Sequence, residues 1–277
     1  MTRAIAYEIK RAFGSGGFAV ALFAASALSV AQVAMVSAPF AYSDGWQMWR
    51  SGANGAFPPS SYNTWIGLTA YSVFTMMFYY ALPLLACFPA ASSLCSDVRS
   101  GYACQVVSRI GRGRYVASKV FAASLAAVVV IVVPLVLNVV ATACLVPALW
   151  PDSAESTFFV GPSNTLASVF FTCPLAFIAL FSALAVGLGV ACVMLSYALS
   201  FLIASRFVVL LIPMAACFAL QFALQGSAFA GFAPINAILP FQPQPSIFVI
   251  SAGLQVLAIA TLFGITVFQA EHFEGTR

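Results

Sequence analysis

The chain has 277 residues, of which 62% are hydrophobic and only 6% are charged, whereas about 25% of residues are charged in a soluble domain. No soluble globule could bury that much apolar surface, so the composition excludes an ordinary soluble enzyme, and no nucleic-acid partner is expected. Because the formal net charge of +4 comes from few groups, the positions of the charges are more informative than their sum.

The first apolar stretch runs from about Phe18 to Phe40, after a short segment that carries Arg3, Lys10 and Arg11. This segment is predicted to form a short amphipathic helix. The apolar stretch is longer than the core of a signal peptide, which has about 7 to 15 residues. It is therefore predicted to be a retained first span.

Charged residues are rare in hydrocarbon, so the intervals between them indicate where spans lie. A helix needs about 20 residues to cross about 30 Å of hydrocarbon. The interval 156–205 could hold two spans, but its polar end, 196–205, favours one span followed by a stretch along the inner surface. We predict an all-α membrane domain over residues 1–277, with six spans near 18–40, 65–90, 118–146, 166–191, 207–226 and 246–269.

The basic residues predict the orientation of these spans. With the N-terminus in the cytoplasm, ten of the eleven basic residues flank the spans on the inner side, and only Arg50 lies outside. Basic residues accumulate in cytoplasmic segments. The prediction is a multi-pass protein of the bacterial cytoplasmic membrane with both termini inside.

The most polar cytoplasmic segment, residues 92–118, separates the second and third predicted spans. Its part Ser96–Ile110 is predicted to form an amphipathic helix with Val98, Tyr102 and Val106 near one face. Such a helix could dock a soluble partner. Alternatively, the loop carries arginines for topology alone.

This loop contains, in order, the runs Ser96-Asp97-Val98-Arg99-Ser100-Gly101-Tyr102, Val107-Ser108-Arg109 and Arg112-Gly113-Arg114-Tyr115-Val116-Ala117-Ser118-Lys119. The order resembles the loop of type-2 ATP-binding-cassette (ABC) exporter membrane subunits. Asp97, Gly101, Arg109 and Lys119 match the acidic residue, glycine, arginine and lysine of that family. The proline common near the second arginine is absent here.

The resemblance implies that the loop is a coupling helix, which contacts a separate nucleotide-binding subunit. Its coupling residues would be Asp97, Arg99, Gly101, Tyr102 and Arg109. ATP and Mg²⁺ would bind to that partner, and a second copy of the chain or a similar permease would complete the exporter. The substrate implied is amphipathic or hydrophobic, such as a peptide antimicrobial, a drug or a lipid-like molecule.

No catalytic site, cofactor site or metal site is predicted in the chain itself. Its two lysines, Lys10 and Lys119, lie outside any Gly-x-x-x-x-Gly-Lys-Ser/Thr motif, which a phosphate-binding loop requires. The seven cysteines are scattered, without the paired spacing of a metal site. Energy for transport is therefore expected from a partner protein.

The family likeness places the substrate path between the first, second and fifth spans. Gln32 and Gln221 are uncharged polar residues in those spans, and Phe74 and Phe78 follow helical spacing on the second. These four residues are the candidates for substrate contact. Bonding between helices by the glutamines and packing by the aromatic rings are the alternatives.

Two other classes of function remain open from the sequence. One is an ion-coupled secondary transporter, although the predicted spans have no Asp, Glu, Lys, Arg or His at their centres. The other is a membrane scaffold or immunity protein that transports nothing.

Overall fold

The computed structural model describes residues 2–41, 60–70, 72–89, 93–151, 160–161, 164–203, 205–244 and 246–272, and within these ranges the chain is helical without strands. A π-helical segment, Val33–Ser37, follows the second helix, and a 3-10 helix, Ala230–Phe232, precedes the twelfth. The helices are α1 (Thr2–Phe13), α2 (Gly16–Gln32), α3 (Ala38–Ala41), α4 (Ser61–Thr64), α5 (Val73–Cys87), α6 (Ser93–Arg99), α7 (Tyr102–Ile110), α8 (Arg112–Leu145), α9 (Ala167–Thr172), α10 (Pro174–Leu199), α11 (Arg206–Leu224), α12 (Pro234–Ile238) and α13 (Phe248–His272).

Five helical stretches among the described residues are long and apolar enough to cross a membrane. The π-segment continues α2 without a break, so the first of these stretches is longer than α2 itself. Together they indicate a multi-pass membrane protein. The five stretches are Gly16–Ser37, Arg112–Leu145, Pro174–Leu199, Arg206–Leu224 and Phe248–Glu271.

The second predicted span, 65–90, is not one continuous helix. Its helical part, α5, has only 15 residues, or about 22 Å at 1.5 Å per residue. The turns before it are nevertheless inside the protein, since Trp65 and Leu68 are fully buried. Irregular backbone at membrane depth requires partners within the protein, and Ile66 N donates to Asn138 Oδ1 at 2.8 Å.

Hydrogen bonds fix both ends of the segment 60–89. Ser60 Oγ donates to the carbonyl of Leu149, beyond the C-terminal end of α8, at 2.7 Å. At the other end, Ser15 Oγ, just before α2, donates to the carbonyl of Pro89 at 2.9 Å. The segment therefore leads from the end of α8 to the start of α2.

A long apolar helix overlaps the predicted fourth span, but the predicted bounds, 166–191, and the surface stretch predicted after them are wrong. The long helix α10 begins at Pro174, because proline is favoured in the first turn, and it continues to Leu199. Ser196 and Tyr197 are fully buried. The Tyr197 hydroxyl hydrogen-bonds Ser93 Oγ at 3.0 Å, so the polar groups that suggested a surface location are bonded inside the bundle.

Helix α8 is the centre of the structure and packs against α1, α2, α5, α10 and α13. Small buried residues such as Ala126 and Ala127 let neighbouring helices approach closely. With 34 residues, α8 is about 51 Å long, longer than the hydrocarbon layer. On the outside of the bundle, α13 exposes apolar side chains, including Val249 and Val256, which suit contact with lipid.

Candidate functional site

Asp97 of α6 is the centre of a buried ion cluster. Arg11 of α1 donates to both carboxylate oxygens, Nη1 to Oδ2 at 2.7 Å and Nη2 to Oδ1 at 2.5 Å. Lys119 Nζ lies 2.7 Å from Oδ2, and the Tyr115 hydroxyl donates to the same oxygen at 2.7 Å. Because the Asp97 side chain is only 1% exposed, the carboxylate is surrounded by protein groups.

The cluster extends from Asp97 through Lys119 to a second residue of α1 and to one more helix, α10. Lys119 Nζ is 3.3 Å from Glu8 Oε2 of α1, and it donates to Ser93 Oγ at 3.4 Å. Ser93 in turn bonds the Tyr197 hydroxyl of α10. The cluster therefore connects α1, α6, α8 and α10 at one end of the bundle.

The helical repeat explains how these side chains converge. Glu8 and Arg11 are three residues apart on α1, and Tyr115 and Lys119 are four apart on α8, so each pair projects from one face of its helix. Both pairs contact the cluster around Asp97. Two acidic and two basic groups make the ion-paired cluster neutral, which reduces the cost of keeping it away from water.

The pKa of Asp97 lies below its ordinary value. Burial alone would raise this pKa, but the hydrogen bonds from Arg11 and Lys119, the charge of Lys119 and the Tyr115 hydrogen bond together favour the carboxylate. The hydrogen bond to Asp97 raises the pKa of Arg11 above its ordinary value. The central pair is therefore fully charged near neutral pH.

The predicted single helix over 96–110 is wrong, because two helices occupy this part of the loop. Helix α6 ends at Arg99, and α7 begins at Tyr102 after Gly101, whose φ of +73° is in the left-handed region. Glycine adopts that conformation without steric penalty. The turn lets α6 carry Asp97 into the bundle while α7 runs in a different direction.

The five predicted coupling residues separate into different environments. Asp97 is buried, whereas Arg109 is exposed on α7 beside exposed Gln105 and Ser108. Tyr102 is half-buried, and its ring lies 5.3 Å from the guanidinium carbon of Arg11. Gly101 forms the turn, and the side chain of Arg99 is outside the described part of the structure.

Gln32, a predicted substrate contact, belongs to a fully buried polar network. Its Nε2 donates to the carbonyl of Thr64 at 2.9 Å, and its Oε1 accepts from Asn138 Nδ2 at 2.7 Å. Asn138 Nδ2 also donates to the carbonyl of Ser29 at 3.1 Å. These bonds hold α2, α8 and the turns before α5 together. They correspond to the alternative role considered for Gln32, hydrogen bonding between helices.

The other predicted path residues lie at separate places. Phe78 is buried against Tyr79, with ring centroids 5.4 Å apart, and Phe74 is half-buried. Gln221 of α11 donates to Asn236 Oδ1 at 2.7 Å. Its Oε1 atom is buried without a hydrogen-bond partner among the described residues, so Gln221 retains an unused acceptor.

The sequence reasoning missed Glu8, Arg11 and Tyr115 as members of the site. The spacing of Glu8 and Arg11 on the amphipathic α1 was a usable signal, since both belong to the few charged residues of the chain. Their partner Asp97 is 86 positions away from Arg11. That distance along the chain left no local pattern that would join them.

No family model, curated protein or solved structure matches this chain. Within the described ranges, no group of three or more His, Cys, Asp or Glu side chains is arranged to hold a metal ion. In this site a turn joins the buried ion cluster to α7, a helix that packs Val106 and Val107 against the core and exposes polar residues on its other side.

Proposed function

We propose that this chain is the membrane subunit of an ABC exporter, driven by a separate nucleotide-binding subunit on the cytoplasmic side. The observation that carries the proposal is the buried anchor of Asp97 between Arg11 and Lys119. It ties the cytoplasmic α6–α7 element to α1 and to the central α8. A force applied to α7 would therefore reach the core of the bundle.

The exposed face of α7 is the proposed contact with the ATPase. Arg109, Gln105 and Ser108 are exposed there, whereas Asp97 is buried and acts as a positioning residue. In this proposal Gly101 and Tyr102 set the angle between α6 and α7. The family resemblance of the loop names the same segment as the coupling helix.

Six crossings with both termini inside are part of the proposal. The five long apolar helices supply five crossings. The segment 60–89 supplies the sixth, since its ends bond Leu149 and Ser15 at opposite ends of the bundle. In the predicted topology ten of the eleven basic residues flank the spans on the cytoplasmic side, and this favours the cytoplasmic side for the end of the bundle that holds the ion cluster.

The complete transporter would contain a second copy of the chain or a similar permease, with ATP and Mg²⁺ bound to the ATPase partner. The expected substrate is amphipathic or hydrophobic, such as a peptide antimicrobial, a drug or a lipid-like molecule. The apolar interior of the bundle supports this class. Gln221, with its unused buried acceptor, is the best candidate for substrate contact.

The proposal is tested by purifying the tagged chain from its native membrane and identifying the proteins that copurify. We expect a protein with a phosphate-binding loop and ATPase activity in the complex. Arg109→Glu should reduce ATPase association at least tenfold, with membrane insertion unchanged. Arg114→Glu, at an exposed position at the start of α8, is the matched control. A stable complex without any ATPase would contradict the proposal.

An ion-coupled carrier is the second candidate, favoured by the interrupted second span. Broken helices form ion sites in secondary transporters through backbone carbonyls and hydroxyls. Here the Thr64 carbonyl, Thr69 Oγ1 and Thr75 Oγ1 lie within one buried network. Transport that survives ATP depletion and stops when the sodium gradient collapses would favour this candidate over the exporter.

A further inference from the structure

A cavity of about 490 Å³ lies beside the ion cluster, among α1, the start of α2, the residues just after α5, α6, α8, α10 and the start of α11. One wall is polar and includes Arg11, Lys119 and Arg206. The apolar part of the lining includes Phe88 and Phe207. The cavity therefore offers charge and apolar surface to one ligand.

At the cavity and its adjoining ion cluster, the basic side chains outnumber the acidic ones by one. Arg11 and Lys119 pair with Asp97, and Lys119 also pairs with Glu8. In the described ranges no ion pair involves Arg206, which is the first residue of α11 and is exposed. The cavity and its adjoining cluster thus carry a net charge of +1, located at Arg206.

An exposed apolar side chain of α11 borders the cavity, which suits contact with lipid. Phe207 lines it and is also 78% exposed. Leu210, one turn further along α11, continues the apolar wall. Phe207 is the second residue of a membrane-spanning helix, so it lies near the boundary between head groups and hydrocarbon. A ligand could enter sideways from the leaflet.

We propose that this cavity binds the phosphate head group of an anionic membrane lipid. Arg206 would pair with the phosphate, while Phe207 and Leu210 contact the first carbons of the acyl chains. Basic pockets between membrane helices bind anionic head groups in this way. This inference depends on membrane embedding and does not require an ATPase partner.

A lipid at this position would also act on the coupling element. It would contact α1 and α11 next to the anchored Asp97, because Arg11, Ser93 and Ser96 share the cavity wall. Filling the cavity stabilises the arrangement of α1, α6 and α11 by mass action. The lipid would thereby favour the conformation in which the cavity is formed.

The test is a titration of the delipidated full-length protein with short-chain phosphatidylglycerol or phosphatidylcholine, followed by native mass spectrometry. We expect the wild type to bind one phosphatidylglycerol more tightly than phosphatidylcholine. Arg206→Gln should weaken phosphatidylglycerol binding roughly fivefold, the effect of about one basic group near a membrane surface, and leave phosphatidylcholine unchanged. Arg206→Lys should retain most of the preference.

Arg112→Gln is the matched control, since Arg112 is exposed at the start of α8 and does not line the cavity. It should bind phosphatidylglycerol as the wild type does. Equal binding of the two lipids by the wild type, or equal weakening by the two glutamine variants, would overturn the proposal. Displacement of the lipid by excess inorganic phosphate would instead identify a soluble anion as the ligand and reject the lipid assignment.

Discussion

The contribution of the buried ion cluster can be measured by double-mutant cycles on the free energy of unfolding. Asp97 pairs with two cations that differ in exposure, since the Lys119 side chain is 1% exposed and that of Arg11 is 38% exposed. Water can solvate Arg11 when its partner is lost, but it cannot easily reach Lys119. We therefore expect a larger coupling free energy for the Asp97–Lys119 pair.

The magnitude follows from burial. Breaking a buried pair costs about 3 to 5 kcal/mol, but Glu8 still faces Lys119 at 3.3 Å after Asp97 is replaced. The expected coupling of Asp97 with Lys119 is therefore about 2 to 3 kcal/mol. The coupling of Asp97 with Arg11 should be smaller, about 1 kcal/mol, because water partly solvates the Arg11 guanidinium.

The assay uses Asp97→Asn, Lys119→Met, Arg11→Gln and the two double variants, unfolded by SDS in mixed micelles and followed by circular dichroism. Lys10→Gln is the control, because Lys10 is exposed on α1 next to Arg11; its coupling with Asp97 should be near zero. If Arg11 couples to Asp97 as strongly as Lys119 does, burial does not set the strength of these pairs and the reasoning fails.

The free energy by which Asp97 stabilises the fold should depend on pH. The pKa of Asp97 is lower in the folded chain than its ordinary value, so the stabilisation is complete above the unfolded pKa of about 3.9. It is lost as the pH falls through the lower folded pKa. The stability difference between the wild type and Asp97→Asn should therefore be constant from about pH 7 to pH 5 and shrink under more acidic conditions. A difference that grows on acidification would refute the assignment.

Two other substitutions and one oxidation test separate parts of the fold. Gly101→Ala should destabilise by about 1 kcal/mol, because φ is +73°, whereas Gly113→Ala, within α8, should not; SDS unfolding measures both. Asn138→Leu should cost about 2 kcal/mol in the same assay by leaving a buried amide unpaired, and an unchanged stability would contradict the network. Mild oxidation should join Cys192 to Cys217, whose sulfurs are 3.8 Å apart, as mass spectrometry of alkylated protein would detect; two free thiols after oxidation would contradict the α10–α11 packing.

Much of the helical layout could be predicted because charged side chains are excluded from hydrocarbon. The predicted spans at 207–226 and 246–269 lie close to Arg206–Leu224 and Phe248–Glu271. Both begin just after a charged residue or a proline-rich segment. The bounds of the fourth span were predicted wrongly, although proline is common at the first position of a helix and Pro174 marks the start of this one.

The division of the loop at Gly101 also had a local signal, since Ser-Gly pairs mark turns. The interior position of Asp97 had none. Its burial depends on Arg11 and Lys119 arriving from two other helices, and ion pairs of that kind leave no periodicity in the sequence. Likewise, the irregular turns before α5 depend on a distant residue: Asn138, 72 positions away from Ile66, accepts a hydrogen bond from the Ile66 N–H.

The burial of Asp97 changes which residues a cytoplasmic partner could contact. The carboxylate is already occupied by Arg11, Lys119 and Tyr115, so a partner would have to break those bonds to reach it. Arg109 is free of that constraint because it is exposed on α7. A substitution at Asp97 should therefore weaken transmission through α6, whereas a substitution at Arg109 should weaken binding itself. Measuring partner affinity and coupled transport separately in the two variants distinguishes an anchor from a contact.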